Sequence, residues 1–418
     1  MSVLSGVILP LFLMGAGGYF AILVTPHLIK RRGRGRKNAS SVRALAVALA
    51  GTLGVGNIAG VASAIALGGA GAVFWMWVSA LLAMFLKYAE VVLAVRHRRI
   101  DGEGRAHGGA PYYIRKAFHG RIGGVLSGIF ALLCMLCMFT LGGVVQSAAA
   151  AEAAGDAFGV PPLVTGTLIG VCACAVLWRG AKGVERACTV LVPVVCGLFS
   201  MASLAAVLLR VEMLPAAFGA IFKGAFSARS AAGGALGFFT SRALRYGVAR
   251  GIVSNEAGCG TAPIAHAAAT ESPARQGLWG IVEVFVDTIL LCTMTALAIL
   301  VSGVPVKAGG GMAYAIAAYS AILGRVAAPL LAVSVLIFAF ATVLCWAHYG
   351  AESFYALTGR KSTRFLPLCI LVACVAGAVS APALVWDVTD LILALMTVLN
   401  VTALLLLRRE VREESGRL

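Results

Sequence analysis

Long apolar runs that do not alternate with polar residues fill most of this 418-residue chain. A helix needs about 20 mostly apolar residues to cross the ~30 Å hydrocarbon layer of a bilayer. Inside that layer only helices or closed barrels satisfy their own backbone groups, and barrel strands would alternate. Only 12% of the residues are charged, against about 25% in soluble domains. The sequence therefore predicts an all-α polytopic membrane protein.

The basic residues predict how the chain crosses the bilayer. Eleven spans are predicted, beginning near residues 3, 42, 71, 121, 161, 188, 231, 274, 326, 363 and 386. Basic clusters that hold 28 of the 34 lysines and arginines lie at 30–43, 96–121, 179–186, 242–275, 360–364 and 408–417. With eleven spans all of them fall on one side, which is the cytoplasmic side by the positive-inside rule. We expect a bacterial inner-membrane protein with its N-terminus outside and its C-terminus in the cytoplasm.

Several other classes are disfavoured by the same residues. The net charge of +17 and the basic run 30–37 resemble a nucleic-acid arm, but basic loops are typical of membrane proteins, and no nucleic-acid partner is predicted. No basic region precedes the first apolar stretch, 3–28, which favours a spanning helix over a cleaved signal peptide. The cysteines lie mostly inside apolar runs, so neither a disulfide framework, a metal nor a cofactor is predicted. Segment 212–229 is too short and polar to span and is predicted to be an interfacial helix on the outer face.

Two apolar segments are interrupted by glycine. Residues 51–60 (GTLGVGNIAG) hold four glycines, and each costs about 1 kcal/mol relative to alanine inside a helix. Five spans later, residues 231–240 (AAGGALGFFT) are interrupted in the same way and include Gly237. Matched broken helices are the best sequence indication of a transporter binding site, although glycines also serve close helix packing. An odd number of spans per half predicts an inverted repeat, 42–210 and 231–407, after an extra helix at 3–28.

A broken helix offers two kinds of ligand group. The N-termini of half-helices carry unpaired N–H groups and about half a positive charge, which suits a carboxylate. Freed carbonyls and hydroxyls suit a hard cation such as sodium. A small zwitterion bound beside a monovalent cation meets both demands.

At these residues the chain resembles the alanine or glycine:cation symporter family. The likeness is carried by residues 51–62 (GTLGVGNIAGVA), 68–77 (GGAGAVFWMW), 87–90 (KYAE), 246–251 (YGVARG), 254–258 (SNEAG) and 262–269 (APIAHAAA). It implies the leucine-transporter fold, with an inverted five-plus-five repeat after one extra helix. It also implies alanine or glycine as substrate, sodium as the coupling ion, and no obligatory protein partner.

The resemblance implies a set of site residues. The expected substrate-binding residues, counting Gly237 of the second broken segment, are Thr52, Gly54, Gly56, Asn57, Gln146, Gly237 and Trp346. Thr342 is expected to bind the cation. The residues expected to act in gating or structure are Glu90, Asn255, Glu256 and Asp287. From the residues alone, a lone glutamine such as Gln146 within a span is more often an interhelical bridge than a ligand, and Trp346 more often belongs to the core or an interface.

Two departures from the family pattern bear on coupling. The family shows a Ser-Thr pair where this chain has Ala341 and Thr342, so one hydroxyl ligand for sodium is missing. The glutamate that follows Trp346 is Glu352, which lies one residue further along the chain than in the family pattern. Sodium coupling is therefore expected to be weakened, replaced by protons, or supported by water and backbone carbonyls.

Intramembrane charges form a further set of candidates. Glu283 and Asp287 share a helix face; Glu283 is expected to pair with a basic residue near the cytoplasmic end, or alternatively to accept a proton. Lys87 and Glu90, three residues apart, are expected to form an ion pair. Glu256 is expected to face arginines in a loop that closes the inner gate, with a plain helix-capping loop as the alternative.

These features predict a sodium-coupled symporter that imports alanine or glycine by alternating access. A proton-coupled transporter and a transport-inactive amino-acid sensor are the alternatives. An enzyme is disfavoured, because no nucleophile–base pair, histidine-rich metal site or phosphate loop is found in the spans.

Overall fold

The computed structural model describes residues 8–29, 38–226, 242–306, 311–360, 365–380 and 383–418. Helices make up nearly all of this part of the chain. The α-helices of the first half are Leu9–Ile29, Ala39–Thr52, Ala59–Gly68, Gly71–Arg96, Ala110–Ala117, Gly120–Cys137, Gln146–Phe158, Pro162–Leu177, Ala181–Leu208 and Leu214–Ala225. Those of the second half are Arg242–Asn255, Ala262–His266, Pro273–Val284, Thr293–Val301, Gly311–Leu323, Ala327–Thr358, Phe365–Val379, Ala383–Leu406 and Arg408–Ser415. One short antiparallel hairpin pairs strand Arg99–Ile100 with strand Ala106–His107.

The predicted class is confirmed. Within the described ranges seven helices are long and apolar enough to cross a membrane, and a bent pair makes an eighth. Two shorter apolar helices, Pro162–Leu177 and Phe365–Val379, fall at two further predicted spans. The span predicted to begin near residue 231 is described only as Arg242–Asn255, and its glycine segment with Gly237 lies outside the described residues. The count of eleven and the inverted repeat stay predictions.

Helix starts follow the apolar runs closely, with one clear difference. The span predicted from residue 188 begins at Ala181, directly after Gly180 in the left-handed conformation (φ 68°). The first two turns of the helix therefore contain polar residues, which the prediction left out because it began the span at the first residue of the apolar run. Glu185 in those turns pairs with Arg43 at the start of the bent helix. The backbone conformation at Gly180, rather than the start of the apolar run, therefore sets where this helix begins.

The extra N-terminal helix and the predicted interfacial helix are both present as helices. Helix Leu9–Ile29 packs on Gly71–Arg96, and Gly17 is required there because a Cβ would lie 2.7 Å from the Leu82 carbonyl oxygen. Helix Leu214–Ala225 follows a 3-10 turn, and the Trp75 indole N–H donates to the Ala225 carbonyl at 3.3 Å.

Two helices change to π-helical geometry in the middle of a span. The segments are Met138–Val145, directly before Gln146, and Phe285–Cys292, which contains Asp287. Such one-turn widenings are rare and occur frequently at functional sites. Both segments lie among the helices that surround the bent pair.

Candidate functional site at the broken helix

The first glycine-rich segment breaks its helix as predicted. Helix Ala39–Thr52 stops, a 3-10 turn spans Val55–Asn57, and helix Ala59–Gly68 continues at an angle of 67°. Gly54 between them is extended (φ −144°, ψ −158°). The first N–H groups of each new helical segment have no intrahelical acceptor. The break therefore presents donors of partial positive charge inside the protein.

Gly54 leaves room for two predicted site residues. A Cβ at Gly54 would lie 3.3 Å from Gln146 Oε1 and 3.3 Å from Thr342 Oγ1. The Thr342 hydroxyl donates to the Leu53 carbonyl at 3.1 Å and to the Phe338 carbonyl at 2.9 Å. Thus Gly54, Gln146 and Thr342, which are far apart in sequence, meet at the break. The Leu53 carbonyl and the Thr342 hydroxyl form an oxygen pair of the kind that sodium prefers.

Asn57 bridges the break to the second π-helical segment. Its Oδ1 accepts the Gly54 N–H at 3.0 Å, and its Nδ2 donates to Asp287 Oδ1 at 2.7 Å. Asp287 also accepts the hydroxyls of Ser254 at 2.8 Å and Thr288 at 2.6 Å. Both ends of the Asn57 amide therefore hold protein groups, so Asn57 fixes the shape of the break. Ser254, which the sequence had marked only as part of a motif, belongs to this network.

Trp346 is buried beside the first π-helical segment. A Cβ on Gly142 would lie 2.4 Å from Trp346 Cβ, so glycine is required at that contact. The indole ring meets Tyr349 edge-on, with 5.7 Å between ring centroids. Trp346 thus packs against the π-helical segment that ends at Val145, directly before Gln146.

Two buried polar atoms near the break have no hydrogen-bond partner among the described residues. They are Gln146 Oε1 and Trp346 Nε1. A buried polar group without a partner costs about 1–3 kcal/mol, and native proteins contain few of them. The Tyr349 hydroxyl lies 3.0 Å from where a Cβ on Gly51 would stand, which places it at the same helix. Sequence reasoning missed Tyr349 because nothing in the apolar pattern distinguishes it from a core aromatic.

The remaining predicted residues near the break differ in their surroundings. The Thr52 hydroxyl donates weakly into its own helix, to Ala48 O at 3.5 Å and Leu49 O at 3.4 Å. A Cβ on Gly56 would meet nothing within 4 Å. Gly56 therefore faces open space beside the break.

A cavity of about 490 Å³ reaches the break from the end of the bundle opposite the basic loops. Val55 and Ala59 of the broken helix line its inner end, and Val145 adjoins Gln146 there. Trp386 and the exposed carboxylates Glu152 and Asp156 line its outer part. Gln146 and Trp346 do not line this cavity, whose inner end includes Val145, the residue before Gln146.

The intramembrane charges pair differently from the prediction. Lys87 Nζ lies 3.3 Å from Glu283 Oε1, both fully buried, so the expected Lys87–Glu90 pair is wrong. The neighbouring helix Pro273–Val284 packs against Gly71–Arg96 and supplies the closer carboxylate. Glu90 instead accepts the Asn400 amide at 2.6 Å and the Gly260 N–H at 2.9 Å. The basic partner expected for Glu283 is thus Lys87.

A second hydrogen-bond chain continues from Glu283. Its Oε2 lies 3.0 Å from His266 Nε2, and Gln276 Nε2 lies 2.8 Å from His266 Nδ1. We call Lys87, Glu283, His266 and Gln276 the buried charge cluster. Its histidine and glutamine could not be foreseen, because they come from a short helix and a helix start that meet only in the fold.

The motif at 254–258 folds inward. Asn255 Nδ2 donates to Thr288 Oγ1 at 3.1 Å, and its Oδ1 accepts the Ala257 N–H at 3.0 Å. Glu256 has a positive φ of 51° and is buried, and its carboxylate accepts the Thr261 hydroxyl at 2.8 Å. The expected arginine surroundings of Glu256 are therefore wrong, since the turn directs its side chain into the protein. The gating roles of Asn255 and Glu256 stay predictions.

The described residues contain no group of three or more histidine, cysteine, aspartate or glutamate side chains that could hold a metal ion. The oxygens at the break are backbone carbonyls and hydroxyls, a set that fits sodium rather than zinc or iron.

Comparison with known proteins agrees with this geometry. Residues 3–416 match the profile of the sodium:alanine symporter family. The sodium/alanine symporter AgcS of Methanococcus maripaludis is 37% identical over 383 residues, which are 90% of this chain and 83% of that protein. The amino-acid carrier protein AlsT of Bacillus subtilis is 33% identical over 383 residues, 91% of this chain and 80% of that protein.

The fold is shared with a solved transporter. The crystal structure of MhsT in complex with L-phenylalanine matches 91% of this chain and 93% of that chain, with a TM-score of 0.63 and 14% identity. The architecture is therefore that of leucine-transporter-type proteins, with a bent helix at the centre, and the matched family is one of symporters rather than enzymes. The chain belongs to the sodium:alanine symporter family.

Proposed function

We propose that this chain is a sodium-coupled symporter that imports alanine or glycine across a bacterial inner membrane, with its N-terminus outside. The single observation that carries the proposal is the group of unpartnered polar atoms at the break, Gln146 Oε1 and Trp346 Nε1. Buried polar atoms are normally paired. An amino acid supplies an ammonium group for the glutamine oxygen and a carboxylate for the indole N–H and the half-helix N–H groups.

The size of the site supports a small side chain. Gly54 has Gln146 and Thr342 within 3.3 Å of any added Cβ. Gly142 is pressed against the Trp346 side chain. The Trp346 indole and the Gln146 amide lie on one side of the proposed site, and the backbone lies on the other. They leave space for a substrate whose side chain is a hydrogen atom or a methyl group rather than a long chain. The name of the archaeal relative, a sodium/alanine symporter, supports the same substrate.

The coupling ion is proposed from the oxygens at the break. The Leu53 carbonyl and Thr342 hydroxyl supply two hard ligands, and further ligands would come from backbone and water. Ala341 contributes no hydroxyl where the family has serine. That departure favours proton coupling as a second candidate, in which a buried carboxylate takes up the charge.

The test is uptake of labelled alanine and glycine into proteoliposomes under three gradients. An inward sodium gradient should drive accumulation, and replacing sodium by potassium should abolish it. Accumulation that ignores sodium but follows an imposed pH gradient would replace sodium by the proton. No accumulation under any gradient, with alanine still bound, would contradict transport and favour a sensor.

A further inference from the structure

A second and larger cavity lies at the end of the bundle that carries the basic loops. Its volume is about 720 Å³, and it lies between the short hairpin, helix Ala110–Ala117 and the end of helix Ala327–Thr358. The side chains that matter for its chemistry are Arg99, Ile100, Asp101, Arg115, Lys116 and Leu357. None of them belongs to the candidate site at the break.

Unpaired positive charge distinguishes this cavity. Arg99, Arg115 and Lys116 are exposed, and no carboxylate of the described residues lies at ion-pair distance from any of them. The Arg99 guanidinium lies 6.0 Å from the centre of the Tyr112 ring, which holds it over the cavity. Asp101, the acidic residue among the lining residues described, is engaged with His107 at 3.2 Å. Among the lining residues that the structure describes, three cations therefore face one carboxylate.

Apolar surface adjoins the same cavity. Ile100 and Leu357 line it and are exposed. On the neighbouring helix Gly120–Cys137, the residue that lines the cavity is Ser127. A Leu357 methyl lies 3.6 Å from where a Cβ on Gly128 would stand, so the cavity wall touches that helix within its spanning part. The cavity therefore reaches the boundary between cytoplasmic water and hydrocarbon.

We propose that this cavity binds the phosphate of an anionic phospholipid from the cytoplasmic leaflet. Arg99, Arg115 and Lys116 contact the phosphate, and an acyl chain lies against the exposed side chains of Ile100 and Leu357. A soluble phosphate would use the same three cations but would gain nothing from these two apolar side chains. Basic pockets between spanning helices on the cytoplasmic side are suited to lipid headgroups. The site does not depend on which amino acid or ion is transported.

The test compares lipid binding by wild type and two triple variants. Purified protein in detergent is titrated with phosphatidylglycerol or phosphatidylcholine, and retained lipid is counted by native mass spectrometry. Arg99→Gln/Arg115→Gln/Lys116→Gln should weaken phosphatidylglycerol binding about 100-fold, since each basic residue contributes about 1 kcal/mol near an anionic lipid. The matched control, Arg179→Gln/Lys182→Gln/Arg186→Gln, removes the same charge from exposed residues at the same end of the bundle. It should bind like wild type.

Three results would overturn the proposal. One is equal affinity of wild type for the two lipids. Another is a loss in the control triple variant as large as in the cavity triple variant. The third is binding of inorganic phosphate by lipid-free wild type that equals its binding of phosphatidylglycerol and disappears in the cavity variant, which would make the ligand a soluble phosphate. Unchanged thermal unfolding of both variants would show that the comparison is between folded proteins.

Discussion

The broken helix and the buried charge cluster are both polar regions inside an apolar bundle, but they satisfy their atoms differently. In the cluster each side chain has at least one protein partner, from Lys87 through Glu283 and His266 to Gln276, although Gln276 Oε1 itself has none among the described residues. At the break, Gln146 Oε1 and Trp346 Nε1 have none among the described residues. Paired polar groups hold a structure together, and unpaired ones are available to a ligand. The two regions should therefore respond oppositely to mutation.

The largest expected effect is on stability, from Lys87→Met in the cluster. It leaves the fully buried Glu283 carboxylate without its cation, and breaking such a pair costs about 3–5 kcal/mol. Thermal unfolding in detergent should show a large fall in the unfolding temperature. The double variant Lys87→Met/Glu283→Gln should recover much of the loss, because no buried charge is stranded. An unfolding temperature equal to that of wild type in the single variant would contradict the pairing.

The next effect is on transport, from Gly54→Ala at the break. The new methyl would lie 3.3 Å from both Gln146 Oε1 and Thr342 Oγ1. One added methyl in a tight pocket changes discrimination by about 10-fold or more. Initial uptake rates should fall accordingly while the unfolding temperature stays close to wild type. Gly60→Ala is the matched control, since its Cβ meets nothing within 4 Å; equal loss in both variants would argue against a local effect.

Trp346→Phe sharpens the comparison by removing one unpartnered atom. A phenyl ring replaces the larger indole and the N–H is lost, so affinity for alanine should fall about 10-fold if that donor binds a carboxylate. Stability should fall only by the packing lost with the smaller ring, because the N–H has no protein acceptor to lose. Trp77→Phe should keep the affinity for alanine and lower the stability, since the Trp77 N–H donates to Thr293 Oγ1 at 2.8 Å. Equilibrium binding of labelled alanine, together with unfolding curves, separates the two outcomes.

The smallest effect concerns a histidine of the short hairpin, outside the spanning segments. His107 lies 2.7 Å from Glu352 and 3.2 Å from Asp101, and the hydrogen bond to Glu352 raises the pKa of His107. A raised pKa means that this contribution to stability is complete below the ordinary value of about 6.5 and is lost as pH rises through the raised pKa. Unfolding temperature should therefore decline with pH over that window in wild type. His107→Gln and Glu352→Gln should each flatten the decline.

Much of the fold could be predicted, because apolar runs and charge clusters consist of residues that are close together in the sequence. Apolar runs located the helices, and glycine at 51–60 located the break, since both depend on local backbone and solvation. The meeting of Gln146 and Thr342 with Gly54 was implied by family resemblance rather than by spacing. The π-helical segments had no sequence signal, because they arise from how helices pack.

The errors concern partners that only the fold brings together. Lys87 and Glu90 lie three residues apart in one helix, yet a neighbouring helix offers Lys87 a closer carboxylate in Glu283. Glu256 follows a conformational change at the end of helix Arg242–Asn255, and this turn buries it. Spacing along a helix identifies neighbours on one face, whereas buried ionic groups choose the partner that best offsets their desolvation.

The most direct test of the central claim is sodium-dependent binding of labelled alanine to two purified glutamine variants. Gln146→Leu removes an unpartnered oxygen at the break, and Gln276→Leu removes an amide whose nitrogen is hydrogen-bonded to His266 Nδ1 in the buried charge cluster. We expect Gln146→Leu to lose alanine binding with its unfolding temperature kept, and Gln276→Leu to keep alanine binding with its unfolding temperature lowered. Full alanine binding by Gln146→Leu would contradict the assignment of the broken helix as the amino-acid site.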